Sequence, residues 1–173
     1  MWSGEEDPLS DVKGSIERAV AYLTEHPDEA RYADSSATAR LGESLRVEVE
    51  GSSGERLVTD MPGAIGGRGE HPSPGWLFRA AVASCVASTV GMEAAREGID
   101  LGDVEVVVDS ESDDRGMLGM DESVPAGPLS MRIRVRASGD ASERATEVAE
   151  RGAARCPVCD ATKRAVEVSL ELG

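Results

Sequence analysis

Residues 76–95 read WLFRAAVASCVASTVGMEAA, and this stretch decides the fold. Apolar and small side chains fall on every side of a helical turn, interrupted only by Arg79 and Glu93. The spacing predicts one long helix over residues 75–97, stopped by Gly98, a residue suited to a left-handed C-terminal cap. A helix apolar nearly all round must be buried, either under a sheet or against a second subunit. Ala80, Ala81, Ala83, Ser84, Ala87 and Ser88 are small enough to allow close approach on several sides. The two charges and the many small residues make it a poor membrane span. Near its middle stands Cys85.

Working outward toward the N-terminus, PGAIGGRGEHPSPG (62–75) is dense in glycine and proline and reads as a loop. Before it, ATARLGESLRVEVEG (37–51) reads as a half-exposed strand, because Leu45, Val47 and Val49 alternate with Arg46, Glu48 and Glu50. The turn GSSGE then leads into ERLVTDMP, a return strand, so a hairpin is expected. SDVKGSIERAVAYLTEH (10–26) predicts a helix from about residue 10 to 25 with Ser10 as its cap, after a tail at residues 1–9. On the other side, DVEVVVDSES and PLSMRIRVRAS alternate as strands around the loop DDRGMLGMDESVPAGP. ASERATEVAERGAARC follows as an amphipathic helix, and VEVSLEL closes the chain as an alternating strand. The order is helix, two strands, long helix, two strands, helix, strand. That is an α+β arrangement with mostly antiparallel pairing. Residues 1–36 are expected to form a tail and an appended helix, and residues 37–173 the main domain.

The remaining cysteines sit together. Cys156 opens a CPVC tetrad within RCPVCDATKRA, about seventy residues after Cys85, and Cys159 ends it. One attacking thiol with one or two resolving thiols is the minimum for thiol redox chemistry. Free cysteine is also a frequent core residue, so simple packing stays open for all three. Zinc needs four ligands, or three plus water, and His26 and His71 lack ligand-like spacing to the cysteines. No metal or cofactor is expected. A thioredoxin-like CxxC follows the first strand of its sheet, whereas this one precedes the last. A third reading is a two-cysteine peroxidase, in which Cys85 attacks a peroxide and Cys156 or Cys159 resolves the sulfenic acid as a disulfide.

PSPGWLFRAAVASC (72–85) before a long small-residue helix, the RGMLGMD loop (115–121) and the later CPV with a short helix and strand together resemble the OsmC/Ohr family. These are the osmotically inducible protein C and organic hydroperoxide resistance proteins. The resemblance runs from about Ala37 to the C-terminus. It implies an OsmC-like fold, with antiparallel sheets around a long buried central helix in an intertwined homodimer. It also implies thiol-dependent reduction of organic hydroperoxides, with a dithiol as reductant. By position Cys85 matches the family's peroxidatic cysteine and Cys156 its resolving cysteine, while Cys159 stands where the family often has serine. The family's thiol-activating arginine has its nearest match in Arg56, and the glutamate that pairs with it is replaced by Gly75. A binding module of the same fold, holding a small molecule without thiol chemistry, is the competing expectation.

The chain of 173 residues carries 33 acidic and 18 basic residues, a formal charge of −15. Such a surface repels nucleic acid, and no basic patch offsets it. The N-terminus is acidic, without the basic start and apolar run of a signal peptide, so a cytoplasmic location with reduced thiols is expected. Aromatic residues make up 3%, so the core must be built from Ala, Val, Leu and Met. Only Lys13 and Lys163 are lysines. Acidic, lysine-poor and rich in small apolar residues is the composition of a halophilic protein, whose self-repulsion is screened by salt. Its melting temperature should therefore rise steeply between low and molar salt. A flat profile by differential scanning calorimetry would show that the acidic surface is no salt adaptation.

Overall fold

The first helix, α1 (Pro8–Glu25), begins before the serine expected to cap it. Proline suits the first helical turn, where its missing N–H costs nothing. Ser10 consequently lies inside the helix. The computed structural model describes residues 8–164 and 166–173. The chain divides into two compact units: Ala21–Ala80 in one, and the chain up to Val20 with Ala81–Gly173 in the other.

The 21–80 unit holds an antiparallel sheet in the order β1 (Ala37–Leu41), β2 (Val47–Gly51), β3 (Arg56–Thr59). The sequence predicts one strand where β1 and β2 are two. Gly42 and the left-handed pair Ser44 (φ 52°) and Leu45 (φ 64°) break it, so that Ala39 folds back opposite Val49. The expected hairpin of β2 with β3 is present, with Val49 opposite Leu57 and Gly54 at φ 93° in its turn.

The Gly- and Pro-rich loop that follows is organised by one buried carboxylate. Asp60 accepts the backbone N–H groups of Met61 at 2.7 Å, Arg68 at 3.2 Å and Glu70 at 3.1 Å. Its own N–H donates to the Pro72 carbonyl at 3.1 Å. Burial pushes the Asp60 carboxyl upward, but these amides outweigh it and hold the group below the usual carboxylate range. Gly67 passes so close to the Met61 carbonyl that a Cβ would lie 1.8 Å from its oxygen, so no other residue fits there.

The loop feeds α2 (Pro74–Glu97), the predicted long helix. Ser73 caps its start by accepting the Trp76 N–H at 3.2 Å. Its end is the expected glycine stop. Gly98 is left-handed at φ 66°, and Ile99 donates to the Ala94 carbonyl at 3.0 Å. By length and hydropathy α2 could cross a bilayer. One stripe of it is packed, with Val82, Val86 and Val90 fully buried and Glu93 ion-paired. The expectation of a helix covered all round is met on this stripe alone. Ala81, Ser84, Ser88 and Met92 are exposed on the other side.

In the second unit β4 (Val104–Glu111) pairs antiparallel with β5 (Ser130–Ala137), with Val106 opposite Val135 and Val108 opposite Ile133. The expected loop between them contains a short helix, α3 (Asp114–Met117), capped by the Asp113 side chain. Then come α4 (Glu143–Ala154), capped by Ser142, and α5 (Pro157–Lys163). The closing strand is not formed. Residues 166–173 have no ladder partner among the described residues, and Val166, Val168, Leu170 and Leu172 are exposed. Alternation specifies which face of a strand is apolar but does not supply an edge to pair with.

The core of this unit is the contact of α2 with α4. Val82, Val86 and Val90 recur at four-residue spacing on α2, and Ala145, Val148 and Gly152 form the buried face of α4. A Cβ at Gly152 would lie 2.5 Å from Val90 Cα and 2.9 Å from the Thr89 carbonyl oxygen, both backbone atoms that cannot yield alone. Gly152→Ala should therefore push the helices apart and destabilise the protein by about 1–3 kcal/mol. Chemical denaturation checks this, and a variant of unchanged midpoint would show that the close approach is dispensable.

Candidate active site

Cys85 stands on α2 one residue before Val86 of the buried stripe, and is itself half-buried. Thr89, one turn on, donates its hydroxyl to the Cys85 carbonyl at 3.1 Å and the Val86 carbonyl at 3.2 Å. This occupies the hydroxyl along its own helix.

Cys156 follows the end of α4 and caps α5. It is fully buried, and its Sγ accepts the Cys159 N–H at 3.3 Å. Pro157 occupies the first position of α5 and stiffens the turn. This turn brings the second cysteine block against the first. The Val158 N–H lies close enough to the Cys85 sulfur to lower its titration, and the Cys156 thiol close enough to raise it. Two residues about seventy positions apart in sequence thus share one small site. Cys159, also buried, faces a different way. It lines a groove of about 500 Å³ with Ile133, Val135, Ala149, Glu150 and Lys163. All three cysteines carry unlinked thiols.

The α2–α4 ion pairs set the spacing. Glu93, nearly buried, accepts Arg151 Nε at 3.1 Å and is bridged as well by Arg155 Nη1. Arg151 also reaches Glu97 at 3.2 Å, and Glu97 takes Arg144 at 2.9 Å. Arg155 directly precedes Cys156, so the carboxylate of Glu93 ties down the end of α4 from which that cysteine projects. A hydrogen bond to a charged group of this kind is worth about 1.5–3 kcal/mol.

Burial is the largest influence on Cys85 and pushes its thiol up. The Val158 amide works in the opposite direction, and the neighbouring Cys156 thiol raises it further. Within its own unit no described cation offsets that rise. Arg56 opens β3 in the 21–80 unit, where it is largely exposed and pairs with Glu50 at 3.6 Å. At Gly75, on the first turn of α2, an added Cβ would meet only ordinary contacts at 3.9 Å, so the missing side chain reflects no lack of space. Among the described residues no group of three or more His, Cys, Asp or Glu could hold a metal ion.

Sequence reasoning singled out Cys85, Cys156 and Cys159 but missed two supporting features. Glu93, the one acid in a long apolar stretch, carried a readable signal, because a buried carboxylate requires partners. The Val158 amide carried none, since any residue at that position presents the same N–H.

A family model described as OsmC-like protein matches residues 67–171. No match was found among curated proteins. Among solved structures, an OsmC-like protein from Mycoplasma pneumoniae aligns with a TM-score of 0.65 at 15% identity, covering 78% of this chain and 91% of that one. An organic hydroperoxide resistance protein OsmC from Legionella pneumophila aligns at 0.60 and 22%, covering 77% and 91%. An organic hydroperoxide resistance protein of Bacillus subtilis aligns at 0.54 and 23%, covering 82% and 98%. At these identities the structural likenesses establish the fold.

The raised Cys85 thiol has a kinetic consequence. A thiolate is the reacting form, so the alkylation rate of Cys85 should still be climbing at the pH where a free cysteine has levelled off. Iodoacetamide labelling followed by peptide mass analysis across pH 6–10 measures this. A midpoint below that of free cysteine would show that a cation reaches the sulfur.

Proposed function

The chain belongs to the OsmC-like protein family, and from that premise we propose that it is a thiol-dependent peroxidase acting on organic hydroperoxides. The observation that carries the proposal is the proximity of the buried Cys156 thiol and the Val158 amide to Cys85, close enough for both to act on its thiol. Cys85 thiolate attacks the terminal peroxide oxygen, the O–O bond breaks and an alcohol leaves. The resulting sulfenic acid then condenses with Cys156, releasing water and forming a Cys85–Cys156 disulfide. A dithiol reopens it by exchange.

The surroundings favour an organic peroxide. Cys85 lies beside the valine stripe of α2, and apolar walls bind an alkyl group better than water or hydrogen peroxide. Arg56 is the proposed activating cation and the fold is proposed to work as a homodimer in the cytoplasm. Support for the dimer comes from the side of α2 that the chain leaves uncovered at Ala81, Ser84, Ser88 and Met92. Residues 1–36 are proposed to be an appendage to the working domain.

A second reading rests on the burial that raises Cys85. A thiol held protonated could line a small-molecule site without reacting. Variants decide between the two. Cys85→Ser should abolish turnover of cumene hydroperoxide with dithiothreitol. Cys156→Ser should stop at the sulfenic acid and lose most multiple-turnover activity. Full turnover in Cys85→Ser, or no disulfide to Cys85 in the oxidised protein, would sink the peroxidase reading and leave the binding module.

A further inference from the structure

We propose that the three thiols form a relay, in which Cys159 takes over the disulfide from Cys85 and presents it to the reductant at the far face of α5. The inference rests on the peroxidase reading and adds a third redox residue to it. Its basis is the position of Cys156 between the other two. On one side the Cys156 thiol lies close enough to Cys85 to raise it; on the other its sulfur accepts the Cys159 N–H at 3.3 Å. Cys159 is three residues on within the same turn, which Pro157 pre-shapes, and cysteines so spaced lie within disulfide reach.

The steps balance without any added oxidant. After peroxide reduction the enzyme holds a Cys85–Cys156 disulfide and a Cys159 thiol. Cys159 loses its proton and attacks Cys156 Sγ. A Cys156–Cys159 bond forms, the Cys85–Cys156 bond breaks, and Cys85 leaves as a thiolate that takes up a proton. No net oxidation occurs, because one disulfide replaces another. Burial raises the Cys85 thiol and makes it a slow leaving group, so the exchange depends on support for the departing sulfur. The Val158 N–H, which favours the charged form of Cys85, supplies that support as the bond breaks.

The relay also answers an access problem. Cys156 is wholly buried, and a dithiol must strike a disulfide sulfur directly. Cys159, itself nearly buried, lies at the wall of the groove formed by β5, α4 and α5, where Cys156 does not. An external dithiol attacks Cys159 Sγ from that groove, forms a mixed disulfide and closes on itself, returning Cys156 and Cys159 as thiols. Cys85, meanwhile, is already reset for the next peroxide. Peroxide and reductant therefore use different sulfurs.

The test is a single-turnover disulfide map. The reduced wild-type protein is mixed with one equivalent of cumene hydroperoxide without reductant. Samples are acid-quenched over time, alkylated and analysed by peptide mass spectrometry. The expected result is an early Cys85–Cys156 link that gives way to Cys156–Cys159, with Cys85 becoming alkylatable. In Cys159→Ser the early link should persist, and multiple turnover with dithiothreitol should fall by about 10-fold or more. A wild-type endpoint fixed at Cys85–Cys156 with Cys159 alkylated throughout, or full multiple turnover in Cys159→Ser, overturns the relay while leaving the peroxidase intact. A protein in which Cys85 never enters a disulfide overturns both.

Discussion

One close approach governs the arrangement of the unit that carries the cysteines: the backbone of α2 at Val90 meeting the backbone of α4 at Gly152. A methyl group at residue 152 would fall inside the contact distance of Val90 Cα, so the helices touch only because that position is glycine. The other contacts run in opposite order along the two segments, from Glu97–Arg144 through Glu93–Arg151 to Cys85–Cys156. The helices therefore pack antiparallel, and the chain leaving α4 is delivered beside the middle of α2. From Val90 back to Cys85 is about 7.5 Å along a helix, and from Gly152 forward to Cys156 is a similar advance. The meeting of the two thiols follows from the glycine contact, because rigid helices carry the register from one place to the other.

The same interface explains why the thiol is raised. Positive charge is not scarce here, since α4 and its end present Arg144, Arg151 and Arg155 to α2. Glu93 and Glu97 engage all three. Those pairs hold the helices in place and leave no unit of positive charge beside Cys85 from this side. The Val158 amide is the single group lowering the thiol, and one N–H dipole does not offset burial. The interface thus secures geometry and leaves activation to a cation from elsewhere, the part proposed for Arg56.

Much of this was legible in the sequence where periodicity and punctuation agree. The limits of α2, its stop at Gly98, the β2–β3 hairpin, β4, β5 and α4 all follow from spacing, because each buries a single face. The two failures of the strand pattern have a common cause. Residues 37–51 read as one strand because nothing in the side chains of Ser44 and Leu45 announces their positive φ. VEVSLEL alternates as a strand should, yet a pattern cannot name the edge that completes its ladder. The cysteines were found by residue type and spacing. The contact between them was not, since it depends on the depth of the Gly152 contact and on the turn that Pro157 sets, which are tertiary facts.

Composition ties these observations together. With 3% aromatic residues and a core of valine and alanine, each buried side chain removes little area from water, so a single layer of packing gives little stability. The chain leaves two surfaces uncovered: the small-residue side of α2, where Ala81 and Met92 stand with Ser84 and Ser88, and the apolar row Val166, Val168, Leu170 and Leu172. Scattered exposed apolar residues are ordinary, but a contiguous helix side and an unpaired alternating segment are the surfaces that a second copy covers most economically. Cys85 sits on the boundary, with one flank against the valine stripe and the other toward the uncovered side of α2, which is why it alone of the three cysteines is only half-buried. In the proposed dimer, a second copy covering that side would flank Cys85, while the groove lined by Cys159 is formed by β5, α4 and α5. Assembly and catalysis would then depend on the same helix through opposite sides of it.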